Sequence, residues 1–554
     1  MTAPAELVGS WALGALVLLP LLTALALLIV RGLGARTAAL IGTASATVTL
    51  ALAVAAAVTA APFDGRGVGG AGGPGLDLNL DWIPALGVRL HLGLDGISVP
   101  LVLLTAVLTL LVCAHLIRVQ PMAGRVPGLV ACVLAVEGGA LGTFLALDLV
   151  VFFVAFETVL VPMWFVIARW GDDTQPASTP PSGAPRLGGE QARRDAANRF
   201  VLYTVTGSAV MLLGLLLVAI GSGTTDLVEL AQRRGAGLDA GTQTIAACLL
   251  VLGLAVKAPM FPLHTWLPPA HTIAPTGGSV LLAGVLLKLG TYGLVRLVVP
   301  VVPEGLRAIA PVLGAFGVAG ILWAGLACFV ERDLKRLIAL SSVAHMGFVL
   351  LGIATMTPEG LQGALFANVA HGVITGLLFL VVGAVKDRHH TAELALLDRN
   401  LRDRLPRLGW LLAFGALAGL GLPGLAGFWG ELLAIAGAWR SDSALGVISR
   451  PAAVLAAIGT VIAAAYLLRV LRRLWHGPLQ PAEPVGTHGV DAHGADTHGA
   501  GTELITGRFI GDATGHEVAV TAPLVLATVA LGVLPAILLQ VSGPAVRLML
   551  GRTP

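Results

Sequence analysis

Two lysines inside apolar sequence are the residues of this chain that point most directly to chemistry. Lys257 and Lys288 are two of its four lysines, and both lie in the apolar stretch of residues 251–289. A charged side chain at the centre of a bilayer costs about 2.5–3.5 kcal/mol, so each lysine needs a partner or a task. Between them, four residues interrupt helical hydrogen bonding: Pro259, Pro262, Pro268 and Pro269. Such a break is tolerated in a membrane only where it lines protein or a water-filled cavity, so the stretch predicts a path for an ion.

Other apolar stretches also hold titratable residues, namely Glu137, Glu157, His345, His371 and Glu431. Six titratable residues fall near the middle of six different apolar windows: Glu157, Lys257, Lys288, His345, His371 and Glu431. One buried histidine is readily explained as a core residue, but six groups at one depth each carry their own desolvation cost. The pattern predicts a row of titratable side chains that runs parallel to the membrane.

These residue types suit proton transfer. Histidine gains and loses a proton near neutral pH. Burial lowers the pKa of a lysine and raises that of a glutamate, whereas a nearby opposite charge favours the charged form of either residue. A contact between a glutamate and a lysine that forms and breaks would therefore switch the proton affinity of both groups. Helix breaks after Lys257 and at residues 419–427 would supply free backbone groups and room for water.

The composition is that of a polytopic membrane protein. Of the 554 residues, 56% are hydrophobic and 12% are charged, and the mean hydropathy is +0.88. A soluble domain would carry roughly 25% charged residues. The net charge of +3 gives no indication of nucleic-acid binding. The four cysteines show no C-x-x-C spacing, which argues against a cysteine-ligated iron–sulfur or zinc site: Cys113, Cys132, Cys248 and Cys328.

About fourteen apolar windows are long enough to cross a bilayer. They fall near residues 11–30, 38–61, 97–117, 127–147, 149–168, 200–221, 243–261, 278–299, 308–330, 334–355, 361–385, 409–439, 452–474 and 519–541. The first window reads as a retained span. One set of alternate loops, which includes Lys335 and Lys386, holds 22 of the 34 lysines and arginines, and the opposite set, which includes Arg296, holds 10. The basic loops are expected in the cytoplasm, so both termini are predicted to lie outside.

Three polar inserts interrupt the windows. Residues 62–74 contain a G-x-G-x-x-G pattern, but no strand precedes it, so a dinucleotide site is not predicted. Residues 171–198 have the composition of a linker. Residues 478–517 carry three histidines at five-residue spacing, which are interpreted as part of a solvated loop rather than a weak surface metal site: His488, His493 and His498.

Five motifs carry a resemblance to a known family. They are ETVLVPMWF (157–165), VKAPMFPLHTWLPPAHTIAPTGGSVLLAGVLLKLGTYGLVR (256–296), DLKRLIALSSVAHMGF (333–348), AHGVITGLLFLVVG (370–383) and LPGLAGFWGEL (422–432). Together they resemble the antiporter-like membrane subunits of respiratory complex I, and the M type most of all. LGLDGISVPLVLLTAVLT (92–109) looks like the third helix of that type. Proline at position 269 replaces the aspartate that is usual in the family, which removes an acidic group there.

The resemblance implies an all-α membrane fold of about fourteen helices with discontinuous helices 7 and 12. It implies inverted five-helix repeats at 127–299 and 308–474, flanked by 1–126 with an external loop and by 475–554. Glu157 and Lys257 would be an ion-pair switch, and Glu431 would be the terminal carboxylate. The central relay would consist of Lys288, His345 and His371. Supporting positions would be Glu137, Pro259, His264, His271 and Pro423.

The function implied by the resemblance is proton translocation within a bacterial inner-membrane NADH:quinone oxidoreductase. The chain would hold no cofactor or metal. NADH, FMN, iron–sulfur clusters and quinone are expected in partner subunits, and neighbouring antiporter-like chains and the lipid bilayer are the expected contacts. Three alternatives remain: a subunit of an Mrp-type sodium/proton antiporter, the related chain of a membrane-bound hydrogenase, and a structural spacer.

Overall fold

The computed structural model describes residues 4–60, 75–120, 125–172, 189–397, 400–475 and 511–552, with side chains from residue 10 onward. In these ranges thirteen helices are long and apolar enough to cross a membrane. They coincide with thirteen of the predicted windows, which confirms a polytopic helical fold. The remaining window, residues 409–439, holds two helices of 14 residues each, and each is too short to span by itself. The histidine-rich insert lies outside the described residues, apart from its last seven positions.

The helices are α1 (Pro4–Ile29), α2 (Ala35–Ala60), α3 (Ser98–Leu116), α4 (Val126–Leu145), α5 (Leu149–Thr158), α6 (Leu160–Trp170), α7 (Gly189–Ser222), α8 (Leu227–Arg233), α9 (Ala240–Lys257), α10 (Leu267–Ile273), α11 (Thr276–Leu281), α12 (Leu287–Gly293), α13 (Pro303–Val330), α14 (Leu334–Ala354), α15 (Pro358–His389), α16 (Leu401–Arg404), α17 (Pro406–Gly419), α18 (Ala426–Trp439), α19 (Ser449–Trp475), α20 (Gly515–Val533) and α21 (Ala536–Met549). The π-helical segment Leu282–Leu286 joins α11 to α12, and a second one, Leu294–Val298, continues α12 to complete the single span Thr276–Val298.

A β-hairpin precedes α3. Strands β1 (Leu76–Ile83) and β2 (Val88–Leu94) pair antiparallel, and Gly87 closes the turn with a φ of 67°. The segment LDLNLDWI alternates apolar and polar residues, which favours a half-buried strand. The sequence analysis treated this part of the chain as a loop, so the hairpin is an addition to the predicted fold.

The hairpin is tied to the helices by His91. Its Nδ1 lies 2.6 Å from Asp226, the N-cap residue of α8, and its Nε2 lies 2.8 Å from Asp77 on β1. Burial lowers the pKa of His91, but the hydrogen bonds and charges of the two aspartates raise it to about 9. The imidazole is therefore held as a cation between two carboxylates.

Two interruptions of the helices matter for the site. α9 ends at Lys257, and residues 258–266 form turns in which the indole Nε1 of Trp266 donates to the carbonyl of Val256 at 2.9 Å. Between α17 and α18, residues 420–425 form a turn in which Gly421 and Gly424 have φ of 76° and 90°, a conformation that favours glycine. The assignment of these segments to discontinuous helices 7 and 12 of two inverted repeats, and the division into four parts, stays a prediction.

The centre of the protein is formed by three helices that other helices enclose. The most apolar windows of Thr276–Val298 and Pro358–His389 are 100% buried, and that of Leu334–Ala354 is 94% buried, whereas that of α1 is 28% buried. The three buried spans carry Lys288, His371 and His345, respectively. These side chains therefore face protein rather than lipid. α18 packs so closely on α15 that a Cβ added at Gly430 would lie only 2.7 Å from the Cα of Ala367.

Candidate functional site

Lys288 and His371 are in direct contact. The Nζ of Lys288 lies 2.6 Å from Nδ1 of His371, and it donates a second hydrogen bond of 2.5 Å to the carbonyl of Ala283. Lys288 is fully buried and His371 is 5% exposed. Ala283 belongs to the π-helical segment that immediately precedes α12. A lysine amine and an imidazole at this distance share one hydrogen bond, along which a proton can pass from one nitrogen to the other.

The row continues from His371 to His345 and Glu431. The two imidazole rings lie 5.8 Å apart between centroids. Nδ1 of His345 lies 3.2 Å from Oε1 of Glu431, and Thr460 donates a hydrogen bond of 2.9 Å to Oε2 of the same carboxylate. α12, α15, α14 and α18 each supply one titratable side chain. The order of groups is therefore lysine, histidine, histidine and glutamate.

A cavity of about 30 Å³ lies beside the two imidazoles and the carboxylate of the row. His345, His371 and Glu431 line it, together with Ser341 and Thr375. A site needs roughly 10–15 Å³ of such space and polar partners to hold one water. The cavity therefore has room for water beside the two imidazole rings, between which the described residues show no direct hydrogen bond.

Glu157 and Lys257 each form hydrogen bonds with other residues and not with each other. The carboxylate of Glu157 accepts a hydrogen bond of 2.5 Å from Ser208 on α7. The ammonium of Lys257 donates to the carbonyl of Phe156 at 3.0 Å and lies 3.4 Å from the centroid of the Phe156 ring. Among the described residues there is no ion pair between the predicted switch partners. Ser208 and Phe156 were not singled out from the sequence, since neither is titratable.

The supporting residues are dispersed around the row. Glu137 is fully buried, and neither carboxylate oxygen has a hydrogen-bond partner in the described ranges. His264 lies against the rings of Phe261 and Trp323. His271 stacks on Phe379 at 4.7 Å, and both its ring nitrogens lack partners among the described side chains and backbone. The two supporting prolines, Pro259 and Pro423, lie in the turns after α9 and after α17.

The other two lysines of the chain form a second cluster, on the side of the basic loops. Asp172 accepts hydrogen bonds from Lys335, at 3.0 Å, and from Lys386. Burial raises the pKa of Asp172, but the two ammonium groups hold it below its usual value. Lys335 also donates to the carbonyl of Ala274, between α10 and α11. A cavity of about 540 Å³ borders the cluster. The sequence analysis assigned both lysines to loops because each lies near the end of an apolar window.

A buried ion pair was also missed. Arg296 makes two hydrogen bonds of 2.7 Å to Asp95, and its Nε donates to the hydroxyl of Tyr292 at 2.9 Å. The guanidinium is fully buried. Burial raises the pKa of Asp95, but the charge and hydrogen bonds of Arg296 lower it to about 2. Arg296 was counted as a loop residue, and the only signal in the sequence was its position at the end of an apolar window.

The apolar helices of this fold enclose a contiguous row of titratable side chains. These two features are those of a polytopic membrane protein of the ion-translocating class. A family model described as "NADH:quinone oxidoreductase/Mrp antiporter, TM" matches residues 186–458. The NADH-quinone oxidoreductase subunit M of Rhodobacter capsulatus is 36% identical over 483 residues, which cover 85% of this chain and 84% of that protein. The chain belongs to this family, in agreement with the resemblance seen in its motifs.

Solved structures share the fold. A chain of respiratory complex I from Thermus thermophilus superimposes with a TM-score of 0.78 at 29% identity, over 97% of this chain and 99% of that one. A chain of the Mrp complex from Dietzia sp. DQ12-45-1b gives a TM-score of 0.79 at 24% identity, over 98% of both chains. The second likeness shows the common fold alone.

Proposed function

We propose that this chain is a proton-translocating membrane subunit of an NADH:quinone oxidoreductase. The observation that carries the proposal is the contiguous row from Lys288 through His371 and His345 to Glu431. The relative named subunit M supports the assembly assignment. NADH, FMN, iron–sulfur and quinone chemistry would take place in partner subunits, and neighbouring antiporter-like chains would flank this one in the membrane.

Each side chain in the row has a chemical role in the proposed transfer. Lys288 gives its proton to Nδ1 of His371, with which it is already in contact. The opposite nitrogen of His371, Nε2, is buried without a partner among the described residues, so it is available to pass a proton toward the cavity and His345. Glu431 receives the proton at the end of the row. Histidine suits the two middle positions because it takes a proton at one nitrogen and releases it at the other.

Glu157 and Lys257 would set the proton affinity of the row. Glu157 is hydrogen-bonded to Ser208, and Lys257 is held by a carbonyl and an aromatic ring, so the two charges act on each other without a direct ion pair. Bringing two opposite charges to about 4 Å is worth roughly 4 kcal/mol at an effective dielectric constant of about 20. Moving a proton against about 200 mV costs roughly 4–5 kcal/mol. Formation and loss of this ion pair therefore has the right magnitude to drive one transfer.

The row would be reloaded from the side of the basic loops, which we place in the cytoplasm, with both termini on the opposite side. The cavity beside Asp172 and Lys386 lies on that side. We assign His271 to the step from this cluster to the row, since the charges of both Lys335 and Lys288 act on it. Its unpartnered ring nitrogens suit it to accept a proton from one side and donate it to the other.

The test is proton pumping by the assembled complex. Lys257→Ala and Glu157→Ala are expected to abolish most of the pumping coupled to NADH oxidation, measured in inverted membrane vesicles with a pH-sensitive dye. Glu190→Gln is a matched control, because Glu190 is an exposed carboxylate paired with Arg194 on α7. Assembled variants that pump the wild-type number of protons per electron would contradict the relay assignment.

The second candidate is a subunit of an Mrp-type sodium/proton antiporter, because the matching family description names both kinds of assembly. The two functions differ in their partner chains. Purification of the native complex would recover quinone-reductase chains in the first case and small antiporter subunits in the second.

A further inference from the structure

A groove of about 590 Å³ lies outside the relay, where α13 and α19 end on the side of the basic loops. One wall is apolar and includes Phe329, Val330 and Val470. The spans Pro303–Val330 and Gly446–Trp475 both reach this level. The groove therefore lies at the height where a membrane-spanning helix leaves the hydrocarbon and meets the headgroups of the lipids.

The polar wall of the groove has an excess of positive charge. Three arginines line it, Arg332, Arg469 and Arg473, with Glu331 and Glu393. Glu331 is already compensated, since it pairs with Arg336 at 3.0 Å and accepts from the backbone N–H of Arg332 at 2.9 Å. The remaining charges are those of the three arginines and Glu393. Arg469 also donates to the backbone carbonyl of Phe329, a neutral partner that does not compensate its charge. The groove is therefore suited to an anion.

Two buried polar atoms in this wall have no hydrogen-bond partner among the described residues. Nε of Arg473 is buried without a hydrogen bond, and so is Oε2 of Glu393. An arginine in this situation suits a phosphate oxygen, and a carboxylate suits a hydroxyl donor. A ligand that satisfies both carries an anionic phosphate and a hydroxyl group close to each other.

The groove continues into an exposed apolar surface. On α13, Leu326 is 57% exposed and Val330 is 79% exposed, and on α19 Leu468 is 51% exposed. These side chains belong to the same two helices whose ends form the groove. A ligand with its anionic end among the arginines could therefore lay hydrocarbon chains along α13 and α19, which free phosphate cannot do.

We propose that this groove binds the headgroup of an anionic phospholipid of the phosphoglycerol type. The phosphate lies against Arg469 and Arg473, a glycerol hydroxyl donates to Glu393, and the acyl chains follow α13 and α19. Basic pockets at the ends of membrane helices favour anionic lipids, and each arginine near the headgroup level contributes about 1 kcal/mol, or roughly fivefold in affinity. A phosphocholine lipid has no net charge and no hydrogen to donate to Glu393.

The experiment uses the purified complex that contains this chain, reconstituted in phosphatidylcholine nanodiscs with a photoactivatable phosphatidylglycerol. Label attached to the residues lining the groove is measured by peptide mass spectrometry. Arg469→Gln combined with Arg473→Gln is expected to lower this labelling about 25-fold, since two arginines contribute roughly fivefold each. Replacing the same two arginines by lysine keeps the charge and is expected to preserve most of the labelling.

Arg472→Gln is the matched control, because Arg472 is an exposed neighbour on α19 that does not line the groove. Competition on the unmodified complex needs no variant: unlabelled phosphatidylglycerol is expected to displace the label, whereas phosphatidylcholine and inorganic phosphate are not. Equal labelling in the glutamine variants and in the control would overturn the proposal. Displacement by inorganic phosphate at the same concentration as the lipid would also overturn it, since the groove would then be a site for a free anion.

Discussion

Replacing His371 by leucine or by alanine separates a proton relay from a structural core. His371 bridges Lys288, at 2.6 Å, and the ring of His345, whose centroid is 5.8 Å away. His371→Leu fills the space of the imidazole with hydrocarbon and removes both nitrogens. His371→Ala also removes both nitrogens, but it enlarges the adjacent cavity of about 30 Å³ by most of the volume of the ring. The two variants thus differ in whether water can take the place of the side chain.

The expected magnitudes follow from the cost of a poorly solvated charge. In the leucine variant a proton must cross the gap without a partner, which costs about 2.5–3.5 kcal/mol at this depth and slows the transfer roughly 100-fold. In the alanine variant the cavity gains room for one or more waters, each of which takes roughly 30 Å³ in the liquid, so the loss is expected to stay within about tenfold. The smaller residue is therefore expected to be the better substitute.

The assay is NADH-driven acidification of inverted membrane vesicles, with NADH oxidation measured in parallel so that protons per electron are obtained. Thr143→Val is a shape-matched control, because Thr143 is buried on α4, does not line the cavity, and its hydroxyl donates to the backbone carbonyl of Gly139 at 2.8 Å. Wild-type pumping by His371→Leu would refute the reasoning. Equal losses in the leucine and alanine variants would refute the part that assigns a role to water.

Two further predictions concern fixed charges. Arg296→Met leaves the buried carboxylate of Asp95 unpaired and is expected to lower the free energy of unfolding by roughly 3–5 kcal/mol. Adding Asp95→Asn should recover part of this loss. A double-mutant cycle measured by thermal unfolding that finds the two effects additive would contradict the prediction. The raised pKa of His91 implies about 3 kcal/mol of stability that is fully present below its ordinary value of 6.5 and is lost as pH rises through about 9. Unfolding temperatures should therefore fall across that range in the wild type but not in His91→Gln.

Most of the fold was predictable because hydropathy alone defines membrane spans. Eleven of the thirteen spans in the described ranges match predicted windows within about six residues, since a bilayer requires about 20 apolar residues per crossing. The span Gly189–Ser222 begins 11 residues before its window, and Gly515–Val533 ends 8 residues before the end of its window. The hairpin before α3 was missed because it lies beside a glycine-rich insert, although the alternation of Leu76, Leu78 and Leu80 with polar residues carries the signal of a strand.

The residues of the site could be predicted from the sequence, but the contacts between them could not. The types and depths of Lys288, His371, His345 and Glu431 follow from sequence, because charges in apolar windows are costly. Their order depends on helix packing: Lys288 and His371 are 83 residues apart in the chain, and no local pattern fixes such a pair. The partner of Glu157 was unpredictable for the same reason. Residues at the ends of windows, such as Arg296, were misplaced because a shift of one helical turn moves them between loop and core.

The buried charges of this protein fall into two kinds, and the difference bears on function. Arg296 is held by two short hydrogen bonds to Asp95 and a third to Tyr292. This arrangement stabilises the charged guanidinium and does not provide a route for releasing its proton. Lys288 contacts one titratable group, His371, whose other nitrogen is unpartnered among the described residues. Loss of a proton from Lys288 removes a costly buried charge and keeps the hydrogen bond, whereas loss of a proton from Arg296 would leave Asp95 uncompensated. Burial alone therefore does not mark a relay residue, since the capacity to transfer a proton requires burial with a partner that can itself be protonated and released.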